Sequence, residues 1–371
     1  MKTILITGGA GFIGSHLADE LLGKGYKVRI LDNLSSQVHG PDRKIPSYLS
    51  SEVELIIEDI RNPEVVRKTL TGVDAVVHFV AIVGVGQSMF DLARYTSVNN
   101  YGTAILLEAL IERPVERLLV ASSMSIYGEG LYQGPNGTTY PNVERTLDQL
   151  RANDWELRNK AGEVLKPVPT PESKQPSLES LYALSKYDQE RMCLMIGRAY
   201  NIPTVAMRFF NAFGPNQALS NPYTGVLAIF ASRLLNDKPP LIFEDGQQLR
   251  DFVSVYDVAR ACRLALESPD AAGQAFNVGS GRQFTVSGVA RMMAKVLGKR
   301  IEPEIVSKYR VGDIRHCFPD ITEAKNVLGY QPEVSMEDGL TDLAAWLEGQ
   351  IALDRFSEMR EELASRGLVV G

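Results

Sequence analysis

The residues between Lys2 and His16 constrain the fold of this chain more than any other segment. They read KTILITGGAGFIGSH, an apolar β-branched run followed by a glycine-rich stretch and then by a sequence typical of a helix start. Its spaced glycines are Gly8, Gly11 and Gly14. This order predicts a strand, a tight turn and a helix, with no side chain where a pyrophosphate must approach the backbone. Because a helix N-terminus attracts negative charge, the segment predicts a dinucleotide site.

The next predicted strand indicates which dinucleotide is bound. It covers Lys27–Leu31 and ends at Asp32, about 20 residues beyond the glycines, where such folds place an acidic residue. A carboxylate at this position can accept hydrogen bonds from the ribose diol of adenosine, and it would repel a 2′-phosphate. We therefore expect NAD rather than NADP.

Length and composition indicate a globular protein with two lobes. The chain has 371 residues, and single hydrophobic cores stop growing at about 250–300 residues. Hydrophobic residues make up 44% of the chain and charged residues 23%, which is close to the globular average and excludes fibrous and disordered classes. The net charge of −6 argues against a nucleic-acid or anionic-membrane surface, since both need clustered positive charge.

The sequence also bears on location and on metal binding. No apolar run approaches the ~20 residues that span a bilayer, and Met1 and Lys2 lead directly into the first predicted strand rather than into a signal peptide. Cys193, Cys262 and Cys317 are widely separated and form no CxxC pair, which favours reduced packing thiols over a disulfide frame or a metal site. We expect a cytoplasmic protein with no metal, no membrane and no nucleic-acid partner.

Short apolar runs alternate with helical segments as far as Arg208. The runs are Ile4–Thr7, Val28–Leu31, Val53–Ile57, Ala75–Phe79, Leu118–Ala121 and Thr204–Arg208. This alternation predicts βαβ units and a doubly wound parallel sheet of the α/β class, a Rossmann fold. After Arg208 the alternation breaks, which indicates a smaller C-terminal α+β lobe over the strand ends, where ligands of such sheets bind.

This pattern predicts the division of the chain. The NAD-binding Rossmann domain is expected at residues 1–208 plus about 249–270, and the nucleotide-sugar-binding lobe at 209–248 plus about 271–371. Within the first domain, residues 129–180 form a long polar insertion rich in Gly, Pro, Asn and Glu. Connections of this length are usually functional or mobile, so we expect the insertion to act as a lid or as a substrate wall.

Two groups of side chains are candidates for chemistry. The strand that ends at Ala121 delivers Ser122 and Ser123 to the cleft side of the sheet. Farther on, Tyr182 and Lys186 stand four residues apart in a helical pattern and so share one helix face. A phenol with a pKa near 10 is a poor base at neutral pH unless a nearby cation favours the phenolate, and Lys186 would supply that charge.

These motifs together resemble the extended short-chain dehydrogenase/reductases, in the NAD-dependent sugar epimerase/dehydratase group, over nearly the whole chain. The matching segments are Thr7–His16, Asp32–Leu34, Glu58–Arg61, Val76–Phe79, Asn99–Thr103, the serine-rich strand end, Tyr182 with Lys186, Arg208–Asn211 and Arg250–Val253. The resemblance implies a nucleotide-diphosphate sugar as the substrate.

The resemblance also implies roles for individual residues. The implied NAD site consists of Gly8, Gly11, Phe12, Ile13, Gly14, Asp32, Asn33, Asp59, Ile60, Phe79, Val80, Ala81, Asn99, Tyr182 and Lys186. The implied catalytic residues are Ser123, Tyr182 and Lys186. The implied substrate-binding residues are Ser125, Asn211, Arg250, Arg310 and Asp313, in which the guanidinium groups suit phosphate because their planar donors pair with its oxygens.

The reaction expected of this group starts with oxidation of the sugar at C4, in which the Tyr182 phenolate takes the hydroxyl proton. Dehydratases of the group carry an Asp-Glu pair after the catalytic hydroxyl, and here those positions are Met124 and Ser125, which disfavours dehydration. A 4-epimerase needs no further acid or base. Several other runs resemble the bacterial subgroup that epimerises dTDP-L-rhamnose, which implies a dTDP-6-deoxyhexose substrate.

Alternatives remain open at this point. A UDP-sugar 4-epimerase or a UDP-glucuronate decarboxylase shares the first oxidation, and a non-catalytic NAD-binding scaffold shares the fold. The resemblance further implies a homodimer formed by the helices after Asn99 and around Tyr182–Tyr200.

Overall fold

Seven parallel strands form one sheet in the described part of the chain, in the order β3-β2-β1-β4-β5-β6-β7. The computed structural model describes residues 1–219, 221, 223, 225–310, 312–348, 350 and 356–370. The strands are β1 (Thr3–Thr7), β2 (Lys27–Asp32), β3 (Glu54–Ile57), β4 (Ala75–His78), β5 (Arg117–Ser123), β6 (Thr204–Phe209) and β7 (Ala275–Val278). The predicted doubly wound α/β fold is confirmed.

Helices cover both faces of this sheet and build the second lobe. The longer helices are α1 (Phe12–Gly23), α2 (Pro63–Thr69), α3 (Gly102–Glu112), α4 (Leu181–Ala199), α5 (Val226–Leu235), α6 (Val255–Glu267), α7 (Val286–Val296), α8 (Thr322–Leu328), α9 (Met336–Leu347) and α10 (Phe356–Ser365). Shorter helical segments are Ser36–His39, Val85–Ser88, Leu92–Tyr95, Thr96–Tyr101, Met124–Tyr127, Leu147–Arg151 and Pro269–Ala271.

Alternate residues of β1 explain why the sheet is buried on both faces. Ile4 and Ile6 point into a core shared with α1 and α6, whereas Leu5 points into a second core shared with α2, α3 and α4. Successive side chains of a strand leave opposite faces, so an unbroken apolar run fits a strand covered on both sides. These two cores fix the carboxyl ends of the strands relative to the helices that follow them.

Strand β7 corrects the predicted domain boundary. The sequence interpretation placed residues after about 270 in the second lobe, but Ala275–Val278 pairs in parallel with β6 at the edge of the main sheet. Helix α8 also belongs to the Rossmann domain, because its residues Ala324 and Leu328 are buried in the hydrophobic core that lies beneath α1. Strand β7 has only four residues and lies between Gly273 and Gly279, so the sequence pattern does not predict it as a strand of the main sheet.

The second lobe has its own hydrophobic core. Leu227 and Phe230 of α5 pack there with Val289 and Met293 of α7 and with Leu340 of α9. Its short strands pair as Asn211–Phe213 with Phe252–Ser254, Leu241–Ile242 with Glu304–Ile305, Leu249–Arg250 with both Phe284–Thr285 and His316–Cys317, and Tyr309–Arg310 with Val369–Val370. The insertion contributes Leu131–Gln133, Thr139–Tyr140 and Lys166–Val168 as a small antiparallel sheet. The lobe therefore mixes helices with short strands, as the α+β prediction required.

The turn between β1 and α1 has the geometry that its glycines predict. Gly8 has a φ of +72°, in the left-handed region that favours glycine. A Cβ on Gly14 would lie 2.6 Å from the carbonyl oxygen of Gly8 and 2.6 Å from the Cα of Gly9. Backbone atoms cannot move aside as a flexible side chain can, so only glycine lets α1 begin this close to β1.

The three cysteines are buried and free. Cys193 packs in the core under α4, Cys262 in the core under α1, and Cys317 in a small cluster around Tyr127 and Phe210. Within the described residues, no helix combines the length and the apolar character needed to cross a membrane, and no group of three or more potential metal ligands comes together.

Replacing Gly14 by valine tests the turn. The new side chain meets backbone atoms at 2.6 Å, so we expect at least a tenfold loss of NAD affinity together with a lower melting temperature. The control is Gly23→Ala in the same helix, where an added Cβ meets nothing within 4 Å. That control should match or slightly exceed the wild-type stability, because alanine favours helices over glycine by up to about 1 kcal/mol. Equal NAD binding by both variants, measured by calorimetry, would contradict this account.

Candidate active site

A cleft of about 900 Å³ lies between the carboxyl ends of the strands and the second lobe. It is lined by most residues that the sequence analysis selected, namely Gly8, Gly11, Phe12, Ile13, Gly14, Asp32, Asn33, Asp59, Ile60, Phe79, Val80, Ala81, Ser123, Ser125, Tyr182, Lys186, Asn211, Arg250 and Asp313. Residues far apart in the chain thus meet in one place, although their individual roles remain predictions.

The candidate catalytic hydroxyls come from two elements that end and begin at the cleft. Strand β5 ends at Ser123, and α4 begins at Leu181 after Ser180, whose side chain accepts a hydrogen bond from the Ala183 N–H. Ser123 lies close enough to Tyr182 to favour its phenolate, and Ser125 Oγ donates to Ser123 Oγ at 2.9 Å. The arrangement forms a short chain of hydroxyls that leads to Tyr182.

The protonation of Tyr182 differs from what the sequence suggests. Burial raises the pKa of Tyr182, and the hydrogen bond with Ser123 only partly opposes that rise. Burial also lowers the pKa of Lys186 from its usual 10.5 to about 8. The expected lowering of the Tyr182 pKa by Lys186 is therefore not found in the protein alone, because desolvation of the phenol dominates its pKa.

A buried polar network holds Lys186 in place. Its Nζ donates to Gln189 Oε1 at 2.8 Å, and Gln189 Nε2 donates to Thr103 Oγ1 at 2.9 Å and to the Val80 carbonyl at 3.1 Å. His78 lies in the same network, where burial and the charge of Lys186 lower its pKa to about 3. Sequence reasoning missed Gln189, although its position three residues after Lys186 places it on the same helix face.

Asn99 corrects one member of the predicted cofactor site. Its side chain is fully buried and does not line the cleft. Its amide accepts from the Ile82 N–H at 2.8 Å and donates to Ser185 Oγ at 2.9 Å and to the Ile82 carbonyl at 3.1 Å. Because these bonds occupy the amide oxygen and both N–H groups, Asn99 braces the loop after β4 against α4 and does not line the cleft.

The acidic residues of the expected adenosine end are held by their neighbours. Asp32 accepts from the Leu34 N–H at 2.9 Å and from the Ala10 N–H at 3.1 Å, which fixes its carboxylate at the edge of the glycine turn. Hydrogen bonds from Arg61 lower the pKa of Asp59 to about 2, and Asn33 donates to the same carboxylate at 3.1 Å. Both carboxylates are thus oriented before any ligand binds.

The expected phosphate-binding residues are only partly accounted for. Arg250 donates to three backbone carbonyls, those of Leu249, Ile314 and Arg315. These bonds use three of the five guanidinium N–H groups, so two remain for a ligand. The backbone of Arg310 lies in a described strand, but its side chain falls outside the described residues.

Several residues that line the cleft carry a buried polar atom with no hydrogen-bond partner among the described residues. These atoms are Ser122 Oγ, Asn211 Oδ1, Gln217 Oε1 and Gln248 Oε1. A buried acceptor left unsatisfied costs about 1–3 kcal/mol. Gln217 and Gln248 were not selected from the sequence, and the fold alone brings them to the cleft.

The insertion does not form the lid or the wall that its sequence suggested. Of residues 129–180, only Glu179 and Ser180 line the cleft. Instead, the insertion is attached to the second lobe by buried ion pairs. Arg145 Nη1 donates to Glu244 Oε1 at 2.6 Å, and Glu156 accepts from Arg315, whose side chain is 1% exposed. The insertion therefore supports the loop that carries the cleft residue Asp313, to whose carbonyl Arg145 also donates.

The comparisons with known proteins agree with this geometry. The model of the NAD dependent epimerase/dehydratase family matches residues 4–147 and 161–279. The chain belongs to this family. NAD is accordingly its cofactor, as expected from Asp32.

Relatives extend over almost the whole chain. A dTDP-L-rhamnose 4-epimerase of Burkholderia thailandensis is 34% identical over 94% of this chain and 96% of its own length. A putative UDP-glucose 4-epimerase of Methanocaldococcus jannaschii is 30% identical over 93% and 98%. The crystal structure of a UDP-glucuronic acid 4-epimerase from Bacillus cereus, in complex with UDP-glucuronic acid and NAD, superposes with a TM-score of 0.77 at 28% identity and covers 94% of this chain and 99% of its own.

The cleft fits NAD on its own features. Gly8, Gly11 and Gly14 line it at the N-terminus of α1, where the pyrophosphate is expected, and Asp32 presents an oriented carboxylate where the adenosine ribose is expected. When bound, NAD accepts and returns hydrogen at the substrate carbon, and its positively charged ring would favour the phenolate of Tyr182. The remaining chemistry belongs to side chains of the protein.

The low pKa of Lys186 predicts a pH dependence of stability. In the folded protein Lys186 loses its proton near pH 8, whereas in the unfolded chain it holds the proton until about pH 10.5. Between pH 8 and pH 10.5 the unfolded state binds more protons than the folded state. The free energy of unfolding therefore rises with pH, and Lys186 contributes up to about 3 kcal/mol to this rise. Lys186→Met lacks this contribution. Urea unfolding of both proteins from pH 7 to 10.5 should give diverging curves, and parallel curves would contradict the prediction.

Proposed function

We propose that this NAD-dependent nucleotide-sugar 4-epimerase acts on a dTDP-6-deoxyhexose such as dTDP-L-rhamnose. The observation that carries the proposal is that Ser123, Tyr182 and Lys186 line one cleft whose other half fits NAD. The set contains one candidate base and no second acid, which is what inversion at C4 requires.

The proposed proton path uses three side chains. The phenolate of Tyr182 takes the proton from the C4 hydroxyl of the sugar, and the hydrogen of C4 leaves with its electron pair to give a ketone. Ser123 stabilises the phenolate by donating a hydrogen bond, and Ser125 supports Ser123. Lys186 keeps positive charge near the site. Rotation of the ketone in the cleft exposes its other face, and Tyr182 then returns the proton to O4 as the hydrogen adds back to C4.

Alternative reactions from the same ketone lack the groups that they need. Met124 and Ser125 cannot act as the carboxylate pair of a dehydratase. A glucuronate decarboxylase needs a cation for the sugar carboxylate. Among the described arginines of the cleft, Arg61 is paired with Asp59 and Arg94 with Asp91, and the two remaining N–H groups of Arg250 are expected to bind phosphate.

The nucleotide and the sugar are the finer part of the proposal. Their support is the Burkholderia relative, which is 34% identical and is a dTDP-L-rhamnose 4-epimerase. UDP-sugar epimerases are nearly as similar, so a UDP-sugar is the second candidate. The buried, free thiols fit the reducing cytoplasm in which such substrates would be used.

A panel of dTDP-, UDP- and GDP-sugars tests this proposal directly. Inversion at C4, followed by NMR, should be fastest with a dTDP-6-deoxyhexose. Tyr182→Phe should lower turnover by about 10²–10⁴-fold while NAD stays bound, because it removes only the proton acceptor. Inversion of none of these sugars at C4 would refute the assignment, and faster turnover of UDP-sugars would refute the dTDP part.

We also propose that the protein is a homodimer. Apolar side chains are exposed on neighbouring helical segments on one side of the sheet, namely Leu92, Tyr101, Leu184 and Met195, each between 40% and 54% exposed. Leu184 and Met195 are eleven residues apart in α4, which places them on one face of that helix. Such a surface fits a bundle that pairs across a two-fold axis.

Leu184→Glu tests the dimer. A charge at the centre of an apolar interface has no partner, so the variant should elute as a monomer in size-exclusion chromatography with light scattering, while wild type shows twice the monomer mass. Leu178→Glu is the matched control, because Leu178 is similarly exposed at 37% but lies outside these helices. A wild-type protein that stays monomeric at every concentration would contradict the proposal.

A further inference from the structure

Helix α10 and the strand Val369–Val370 form a segment that we call the tail. The tail covers the cleft and lies outside the large hydrophobic cores of the two lobes. Met359 and Leu363 stand four residues apart on one face of α10 and are 4% and 2% exposed. They pack with Leu241 and Phe243 of the second lobe. An amphipathic helix of this kind buries its apolar face where a matching surface exists.

This cluster joins the two lobes. Its partly buried members are Phe90, Tyr223, Ile229, Val306, Leu368 and Val369. Phe90 belongs to the Rossmann domain, just after the helical turn Val85–Ser88, whereas Tyr223, Ile229 and Val306 belong to the second lobe. The tail therefore spans the opening between the side of the cleft that carries Tyr182 and the side expected to hold the nucleotide sugar.

Polar contacts attach the tail on both sides. The Tyr223 hydroxyl donates to Glu362 at 2.7 Å, and the Arg366 guanidinium lies 4.2 Å from the centre of the Phe90 ring. The backbone of Val369 pairs with that of Arg310 in an antiparallel ladder. These contacts fix the position of the tail over the cleft.

The tail reaches the cleft itself. Met359, Leu363 and Leu368 line it among the described residues. A Cβ on Gly86 would lie 3.2 Å from Leu363 Cδ2, so the tail packs closely against the helical turn Val85–Ser88. Ser88 Oγ accepts from the Tyr182 N–H at 3.0 Å. The tail thus borders the same turn that holds the first residues of the catalytic helix.

We infer that the tail is the apolar wall of the substrate half of the cleft, and that it selects a substrate that presents a methyl group there. The inference rests on the proposed function. The wall consists of the apolar side chains of Met359, Leu363 and Leu368, next to the cleft residues Ile229, Leu241 and Phe243, and Leu368 is its half-buried member while Met359 and Leu363 support it from behind. A hydroxyl against such a surface loses its bonds to water without replacement, whereas a methyl group gains by burial.

The proposed substrate carries two methyl groups that could be buried against such a wall. One is C6 of a 6-deoxyhexose, and the other is the 5-methyl of thymine. Each has a natural counterpart without the methyl group: a sugar with a C6 hydroxyl, and uracil. Selection by the wall therefore predicts a preference within one of two substrate pairs, dTDP-L-rhamnose against dTDP-L-mannose, or dTDP-L-rhamnose against dUDP-L-rhamnose, which lacks only the 5-methyl of the base.

The test replaces Leu363 by asparagine in the full-length protein, which keeps the size of the side chain and makes the wall polar. One methyl group in an apolar pocket changes kcat/KM about 10–200-fold, so wild type should show a preference of that order within one pair. Leu363→Asn should reduce the preference at least tenfold, mainly through KM. Loss in the rhamnose–mannose pair assigns the wall to C6, and loss in the dTDP–dUDP pair assigns it to the methyl group of thymine.

Two controls separate this inference from folding and from the proposed function. Ala364→Ser, on the exposed side of the same helix, should retain the wild-type preference. If Leu363→Asn does not fold, Arg366→Ala releases the tail from Phe90 without altering a cleft residue and should weaken the same preference.

Calorimetric binding of the same three compounds gives a readout without turnover. Absence of epimerisation by wild type would refute the proposed function, whereas an unchanged binding preference in the folded variants would overturn the tail inference.

Discussion

The site depends on one constraint: α4 must enter the molecule with its polar face against the ends of the parallel strands, where water is excluded. Buried hydrogen bonds satisfy this face at successive turns, through the Tyr182 N–H to Ser88, Ser185 to Asn99, and Lys186 to Gln189. Each unsatisfied member would cost about as much as a lost hydrogen bond or more, so the network permits a single register of the helix. That register places the Tyr182 hydroxyl beside Ser123 at the end of β5.

This arrangement lowers the stability of the free protein, because it buries the ionisable groups of the candidate catalytic site. Lys186 is buried with a lowered pKa, and burial disfavours the phenolate of Tyr182 in the protein alone. Ser122 and Asn211, which line the same cleft, each carry a buried oxygen without a hydrogen-bond partner among the described residues. The second lobe is held over this cleft from outside, by ion pairs of the insertion and by the tail.

The extent of sequence prediction follows from how local each signal is. The glycine turn, Asp32 and the pair Tyr182–Lys186 are local patterns with a fixed physical meaning, and the structure brings them together as expected. Strand β7 was missed because four residues between glycines carry too little periodicity. The insertion was misjudged because its partners Glu244 and Arg315 are distant in sequence, and nothing local shows that Arg145 and Glu156 would meet them. The pKa of Tyr182 was misjudged because desolvation depends on the whole fold rather than on the neighbouring turn.

The most direct test of the central claim follows a single hydrogen atom. The account requires that the hydrogen removed from C4 returns to C4 of the same sugar, while Tyr182 exchanges only the hydroxyl proton. A dTDP-L-rhamnose deuterated at C4, turned over in ordinary water, should therefore give a C4-inverted product that retains deuterium at C4 and gains no solvent hydrogen at C4 or C5. Solvent hydrogen at either carbon would contradict the account, because it would require an acid or base that acts on carbon, and the described cleft has none assigned to that task.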